Sequence, residues 1–127
     1  MKTINVVKIV VKNQDKYLLI KRSVLSKFFP SLWDFPGGKI EPKETAEHCA
    51  VRETKEETGL TIILDKIIIQ DNHLESKVNI SYTIFSIKGY DGKVKLSEDH
   101  FKFSWLTKEQ IISLDLTPFI KRYFTQN

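Results

Sequence analysis

The first third of the chain alternates between short apolar runs and polar turns, as β-strands do. Residues 4–12 are rich in β-branched side chains and partly alternate, and residues 17–20 form a second apolar run after a polar turn at 13–15. Such runs favour extended backbone, and Asn and Asp between them favour a hairpin. The pattern therefore predicts a two-stranded hairpin, a loop over 22–33 and a short strand over 33–35.

The rest of the chain has one helical pattern surrounded by further strands. Thr45 can cap the start of a helix over 45–58, and Gly59 can end it in a left-handed conformation. Later strands are predicted over 61–70, 77–88 and 101–106, with a turn at Asp91-Gly92, a short helix capped by Thr107 and a last helix over 117–124. Strands around one long helix predict a single α+β domain over residues 1–127.

The predicted helix carries an unusual concentration of glutamates. Glu56 lies about 60° from Glu53 around the helix axis, and Glu57 about 40° on the other side, so three carboxylates share one face. Like charges at this spacing repel, and negative charge near a helix C-terminus is disfavoured by the helix dipole. A solvated acidic face is one explanation. A hard divalent cation, which takes oxygen ligands and bridges to phosphates, is the other.

The spacing around these glutamates favours the metal. Gly38 is followed after five residues by Glu44, and Glu44 after seven residues by Arg52 and Glu53. With Glu56, Glu57, Gly59 and Leu60, these positions form the pattern G-x5-E-x7-R-E-U-x-E-E-x-G-U, where U is a bulky apolar residue. The chain therefore resembles the Nudix hydrolase family. Its lead-in at residues 33–41 and its segment at 103–106 are similar to those of the compact MutT-like branch.

The match departs from the pattern at one position. Thr54 stands where the family has its first bulky apolar residue. The Thr methyl can still face the core, so the departure concerns local packing and leaves the chemistry of the pattern intact.

The resemblance implies a fold, an ion and a set of roles. The fold would be a Nudix-like α/β/α sandwich with a mixed β-sheet and a central helix that carries the motif. Mg²⁺ or Mn²⁺ would bind at the three helix glutamates and at a main-chain carbonyl of Gly37 or Gly38. Arg52 would orient the carboxylates by pairing with Glu44, and Glu53 is the first candidate for the general base.

Further candidates lie outside the motif. Glu98, in the loop before the late strand, is a second candidate for an extra ligand or base. Basic residues near the end of the second strand bind substrate phosphate in family members, which points to Lys21 and Arg22, although such residues are also often only solvated. The remaining candidates for substrate contact are Lys39, Asp34 and Asp115, the last of which lies where some relatives read an oxidised purine.

Composition and charge indicate the class of ligand and the cellular compartment. The net charge of +4 suits an anionic small molecule, whereas the scattered lysines form no basic stripe for a nucleic acid. A single cysteine, Cys49, excludes an intrachain disulfide, and neither a signal-peptide core nor a bilayer-spanning apolar stretch is present. We therefore expect a cytoplasmic protein without a membrane partner, and the family resemblance implies a monomer or a homodimer.

The resemblance to the Nudix family implies an enzyme that hydrolyses a diphosphate bond in a nucleoside diphosphate-linked substrate. A nucleoside triphosphate, oxidised or not, would give a monophosphate and pyrophosphate. A nucleotide sugar or a dinucleoside polyphosphate is an alternative substrate. A module that senses a nucleotide without cutting it is the non-enzymatic alternative, although such modules typically lack some of the motif glutamates that this chain retains.

Overall fold

Two β-sheets and three helices form the described part of the chain, residues 1–96 and 102–125 of a computed structural model. The strands are β1 (Lys2–Val10), β2 (Lys12–Asn13), β3 (Lys16–Lys21), β4 (Trp33–Asp34), β5 (Gly37–Lys39), β6 (Thr61–Glu75), β7 (Val78–Asp91) and β8 (Phe103–Thr107). The helices are α1 (Ala46–Thr58), α2 (Lys108–Ile111) and α3 (Pro118–Thr125). The predicted α+β class is confirmed.

The larger sheet has the strand order β5-β1-β7-β6, and it is mixed because β1 and β7 run parallel while the other neighbours are antiparallel. In the smaller sheet β3 pairs with β2, with β4 and with β8. The larger sheet thus places the glycine-containing strand β5 directly beside β1.

The predicted hairpin over residues 4–20 is partly wrong. The long strand β1 pairs with β7 and β5, and only the two-residue strand β2 forms a hairpin with β3, where Lys12 faces Tyr17. The chain changes sheets at Val11, whose carbonyl accepts a hydrogen bond from the amide of Leu18 at 2.9 Å. Strand β1 is apolar on both faces and has core on both sides, which suits a central strand better than a hairpin arm.

Strand β1 separates two apolar clusters. Val7 and Ile9 belong to a cluster that includes Cys49 and Ala50 of α1, whereas Val10 belongs to a cluster that includes Phe119 and Ile120 of α3. Because successive side chains of a strand point to opposite faces, α1 and α3 cover opposite sides of the larger sheet. This is the layered arrangement that the family resemblance implied.

The hairpin of β6 and β7 is longer than its predicted strands over 61–70 and 77–88. Its connection consists of Ser76 and Lys77, with φ of 49° and 64°. Two-residue hairpin loops require positive φ, and Asn-Gly or Asp-Gly is the usual sequence that supplies it. Since neither residue gives that signal, the turn could not be recognised from the sequence.

The ends of α1 agree with the prediction. The Thr45 hydroxyl accepts a hydrogen bond from the amide of His48 at 3.1 Å, and Gly59 adopts φ 79°. Thr54 is fully buried, and its hydroxyl donates to the Ala50 carbonyl at 2.7 Å. The polar atom of the residue that departs from the Nudix pattern is therefore satisfied within the helix. Among the described residues no helix is long and apolar enough to cross a membrane.

The left-handed conformation of Gly59 generates a stability prediction. We expect Gly59→Ala to lower the free energy of unfolding by about 1 kcal/mol, because a Cβ disfavours this backbone region. Gly89→Ala is the control, since a Cβ at Gly89 would meet no atom within 4 Å. Urea unfolding would measure both variants, and equal effects would contradict the role of the helix end.

Candidate metal-binding active site

The site is built where the glycine strand β5 meets β1 and α1. In the antiparallel ladder Gly37 faces Lys8, and Gly38 faces Val7. A Cβ on Gly37 would lie 2.0 Å from the carbonyl oxygen of Val7, and a Cβ on Gly38 would lie 2.3 Å from the carboxyl carbon of Glu53. A side chain at Gly37 would collide with the backbone of β1, and one at Gly38 would displace the Glu53 carboxylate, so the two glycines let β5 lie close to both β1 and the glutamates of α1.

Two carboxylates of α1 converge on this glycine segment. The amide of Gly37 donates a hydrogen bond to Oε1 of Glu57 at 2.7 Å, and the Glu53 carboxyl lies against Gly38. Burial raises the pKa of Glu53, and burial raises the pKa of Glu57 to about 8 despite the opposing charge of Lys8. The fold therefore holds two acidic groups where burial disfavours their ionised forms.

Arg52 organises the remaining glutamates. It binds Glu44 through two parallel bonds, of 2.6 Å from Nε and 2.9 Å from Nη2. Its Nη1 reaches Glu53 at 3.0 Å and Glu56 at 3.2 Å. The predicted pairing of Arg52 with Glu44 is confirmed. Bonds from Arg52, together with others that include His48 Nδ1 at 2.8 Å, hold the pKa of the Glu44 carboxyl well below its usual range.

A cleft of about 320 Å³ opens beside the two glycines. Lys8, Arg22 and Lys39 bring positive charge to it, and Phe28, Phe29 and Phe119 supply aromatic surface. Two of the predicted phosphate-binding residues, Arg22 and Lys39, therefore lie at the cleft. Lys21 does not line it, and its Nζ lies 5.9 Å from the ring centroid of Trp33.

Asp34 occupies a different position from the predicted one in contact with substrate. Its side chain is buried, and its Oδ2 accepts bonds from Lys8 at 2.7 Å and Arg22 at 3.3 Å. Its Oδ1 accepts bonds from the Phe35 amide at 2.8 Å and the Thr117 hydroxyl at 2.9 Å. Asp34 thus lies behind the cleft and holds two of its cations, so the predicted direct contact is corrected to a supporting one.

Sequence reasoning missed Lys8 and Thr117. Lys8 is only 4% exposed although it is a lysine, and it stands in the middle of an apolar strand. A charge in such a run was the available signal, because buried charges are rare unless they are paired. Thr117 gave no signal, since its partner Asp34 is distant in the sequence.

Two other predicted site residues lie elsewhere. The Asp115 side chain is exposed and does not line the cleft, while its main-chain carbonyl accepts a bond from the Trp33 amide at 2.9 Å. The predicted base contact by Asp115 therefore has no counterpart in this arrangement. Glu98 lies outside the described residues.

A larger cavity of about 610 Å³ lies elsewhere, lined by residues that include Asn13, Leu60, Tyr90 and Trp105. None of the motif glutamates and none of the cations of the smaller cleft line it. Its Tyr90 and Trp105 rings stack on each other with centroids 5.8 Å apart. By volume alone this cavity would be the candidate active site, but the motif glutamates and the cations lie at the smaller cleft.

The buried ion pair of Lys8 and Asp34 generates a stability prediction. We expect Asp34→Asn to cost about 3 kcal/mol of unfolding free energy, because it removes the charge of the carboxylate that the buried Lys8 ammonium binds directly, at 2.7 Å. Asp115→Asn removes the same charge from an exposed position and should change stability by less than about 0.5 kcal/mol. Urea unfolding at pH 7 measures both variants, and similar small effects would show that the pair is dispensable.

Glu57 predicts how the metal-free protein responds to pH. Its folded pKa of about 8 exceeds the unfolded value of about 4.3, so the folded state binds more protons between these values. Stability from this group is therefore complete below about pH 4 and is lost as the pH rises towards 8. We expect wild type to lose stability relative to Glu57→Gln from pH 5 to 8 in EDTA. An unchanged difference in urea-unfolding midpoints across that range would contradict the raised pKa.

Comparisons with known proteins agree with this geometry. A family model described as NUDIX domain matches residues 1–127. The chain is 28% identical to the nucleoside triphosphatase NudI of Enterobacter sp. (strain 638), over 92% of this chain and 91% of that protein. It is 29% identical to the CTP pyrophosphohydrolase of Escherichia coli (strain K12), over 93% of this chain and 86% of that protein.

Solved structures give the same result. The crystal structure of the MutT protein from Methanosarcina mazei Go1 superposes with a TM-score of 0.87 at 30% identity, covering 97% of this chain and 91% of that one. The solution structure of the E. coli ORF135 protein gives a TM-score of 0.79 at 28% identity, covering 93% and 83%. Since the NUDIX model matches residues 1–127 and the motif glutamates meet the glycine strand, the chain belongs to the Nudix hydrolase family.

Proposed function

We propose that this protein is a divalent-cation-dependent pyrophosphohydrolase that converts nucleoside triphosphates into monophosphates and pyrophosphate. The observation that carries the proposal is the convergence of Glu53 and Glu57 on Gly37 and Gly38 at one end of a cationic cleft. The relatives named as a nucleoside triphosphatase and a CTP pyrophosphohydrolase support the same substrate class.

The donor set fits Mg²⁺ or Mn²⁺. Glu53, Glu56 and Glu57, with a carbonyl of the glycine segment, offer only oxygen atoms, which are the ligands that Mg²⁺ prefers. Burial raises the pKa of Glu53 and Glu57, so a cation beside them would stabilise their ionised forms. Within the described residues no three acidic, His or Cys side chains already form a metal cluster. Glu56, which binds Arg52 and is 58% exposed, would have to turn to join them.

The protein's own groups divide the remaining work. When bound, the metal ion would neutralise phosphate oxygens and lower the pKa of a coordinated water. Lys8, Arg22 and Lys39 hold the phosphate chain at the cleft. Glu53 accepts the proton of the attacking water, because its carboxyl is in the site and its raised pKa suits a general base. Arg52 keeps that carboxyl in position through its bond of 3.0 Å.

Substrate size separates the alternatives. A cleft of about 320 Å³ is near the lower end of ligand sites and suits one nucleoside unit. A nucleotide sugar or a dinucleoside polyphosphate would extend beyond it. A sensing module would not need the retained glutamates.

The single cysteine, buried and unpaired, suits a reducing compartment, and we propose the cytoplasm as the site of action.

The role of Glu57 can be tested by an isosteric change. We expect Glu57→Gln to lower kcat at least 100-fold while the protein stays folded, because the amide oxygen can still accept the bond from Gly37 but carries no charge for the metal. Pyrophosphate release measures turnover, and circular dichroism measures folding. Glu109→Gln, on the exposed face of α2, is the matched control and should retain full activity. Near-normal turnover by Glu57→Gln would reject the metal role.

Metal dependence and products test the reaction itself. EDTA should abolish turnover of a nucleoside triphosphate, and excess Mg²⁺ should restore it. Phosphorus NMR should then detect a monophosphate and pyrophosphate in equal amounts. Release of orthophosphate with a diphosphate, or turnover that survives EDTA, would contradict the proposed reaction.

A further inference from the structure

Arg22 lies at the junction between the cationic part of the cleft and the loop that carries aromatic residues to it. This aromatic loop comprises residues 22–32, and its Phe28 and Phe29 line the cleft beside Arg22. The Arg22 guanidinium bonds in two directions. Its Nε donates to the Phe28 carbonyl at 3.0 Å, and its Nη1 donates to Oδ2 of Asp34 at 3.3 Å. One side chain thus connects the aromatic loop to the buried carboxylate behind the cleft.

The main chain of the same residue closes the base of the aromatic loop. The Arg22 amide donates to the Leu32 carbonyl at 2.8 Å, and the Leu32 amide donates to the Phe29 carbonyl at 3.3 Å. Side chains at the tip of the loop contribute little burial, because Val24 and Leu25 are 65% and 90% exposed. Arg22 therefore holds the aromatic loop both at its base and, through the Phe28 carbonyl, near its middle.

The two aromatic residues of the loop are anchored differently, although both are partly buried against the core. Phe29 packs edge-on against Phe119 and His73, with ring centroids 5.7 Å and 5.8 Å apart. Phe28 has a looser ring contact with Phe29, at 6.2 Å and an interplanar angle of 43°. Its carbonyl bond from Arg22 is the polar contact that joins it to the floor of the cleft. The placement of Phe28 therefore depends on Arg22 more than that of Phe29 does.

The backbone next to this bond is strained. Phe29 has φ 52° and Ser31 has φ 66°, in the left-handed region that residues other than glycine rarely adopt. Such conformations persist only where surrounding contacts hold them. The Phe28 carbonyl belongs to the peptide group that precedes Phe29, so the bond from Arg22 restrains the torsion that is strained. Loss of the bond should let the aromatic loop relax.

The Arg22 guanidinium keeps donors for a phosphate while it holds the loop. Arginine has five N–H donors, and the two bonds engage two of them. The side chain is 24% exposed, so the remaining donors can meet a ligand in the cleft. A lysine would keep the charge, but its single nitrogen lacks the planar fork that reaches the Phe28 carbonyl and Asp34 together. The change Arg22→Lys therefore separates charge from positioning.

From these contacts we propose that Arg22 is a positioning residue for the nucleoside half of the substrate. Its Nε holds the aromatic loop so that Phe28 lies at the cleft, while its charge faces the phosphates. Removal of this bond would weaken nucleoside binding more than phosphate binding. The inference rests on the proposed function, because it concerns how the same cleft holds its nucleotide.

Hydrogen exchange of the substrate-free protein tests the contact directly. In Arg22→Lys we expect a peptide over residues 23–32 to exchange at least about fivefold faster, because the amides of Ser31 and Leu32 donate within the loop. Lys39→Gln, which removes a cation of the same cleft from β5, is the control and should leave that peptide unchanged. Equal exchange in wild type and Arg22→Lys would overturn the inference.

Binding separates the nucleoside from the phosphates. The probes are inorganic tripolyphosphate and the α,β-methylene analogue of whichever common nucleoside triphosphate binds wild type most tightly, measured by calorimetry in Mg²⁺. We expect Arg22→Lys to weaken the analogue about tenfold more than tripolyphosphate, because the lost bond places the aromatic loop and not a phosphate. Lys39→Gln should weaken both probes by similar factors. Equal losses of both probes in Arg22→Lys, or no binding of the analogue by wild type, would overturn the inference.

A double-mutant cycle tests whether Arg22 acts through Phe28. Phe28→Leu alone should weaken the analogue, with the partly exposed Phe103→Leu on β8 as the control. Adding Arg22→Lys to Phe28→Leu should weaken it by less than about threefold more, because the ring that Arg22 positions is already absent. Circular dichroism checks that each variant folds, and additive losses would contradict the assignment.

These measurements do not depend on cleavage. If the exchange and binding results are as expected and no triphosphate is turned over, the proposed function fails and this inference stands. If triphosphates are turned over and the losses in the cycle are additive, the inference fails and the proposed function stands.

Discussion

The site depends on one guanidinium, which offsets the negative charge of several neighbouring carboxylates. Arg52 binds Glu44 with two bonds and also reaches Glu53 and Glu56, so the acidic face of α1 can form before any cation binds. Arginine suits this position because its planar fork can satisfy several carboxylate oxygens and it never loses its charge. Arg52 makes no bond to Glu57, whose pKa is raised by burial although the charge of Lys8 and the amide of Gly37 oppose the shift. The fold therefore tolerates its acidic site without neutralising it.

A second ion pair connects that site to the rest of the molecule. Asp34 joins Lys8 of β1, Arg22 after β3 and Thr117 at the start of α3, so one buried carboxylate fixes three separate parts of the chain. Lys8 lies opposite Gly37 in the ladder. Because a strand alternates between faces, β1 packs Val7 and Ile9 under α1 and directs Lys8 towards the cleft. The core of the protein and the charge of the cleft are thus placed by the same strand.

The sequence was informative where the signal is local. The caps of α1, the spacing of Arg52 and Glu44 and the helices near the end of the chain follow from patterns within a few residues, and the structure agrees with them. It was uninformative where a partner lies far along the chain. The sheet change after β1, the buried Lys8 and the direction of the Asp115 side chain depend on tertiary neighbours, which no local pattern encodes.

The pairing of β5 with β1 fixes the residues of the acidic site in one register, whereas the loop that lines the cleft is free of this constraint. Gly37 and Gly38 are held opposite Lys8 and Val7, and a slip of one residue would turn Lys8 into the apolar core under α1. The loop over residues 22–32, which brings Phe28 and Phe29 to the cleft, is under no such register constraint. Evolution or protein engineering could therefore change which molecule the protein accepts by remodelling this loop, while the acidic machinery stays untouched.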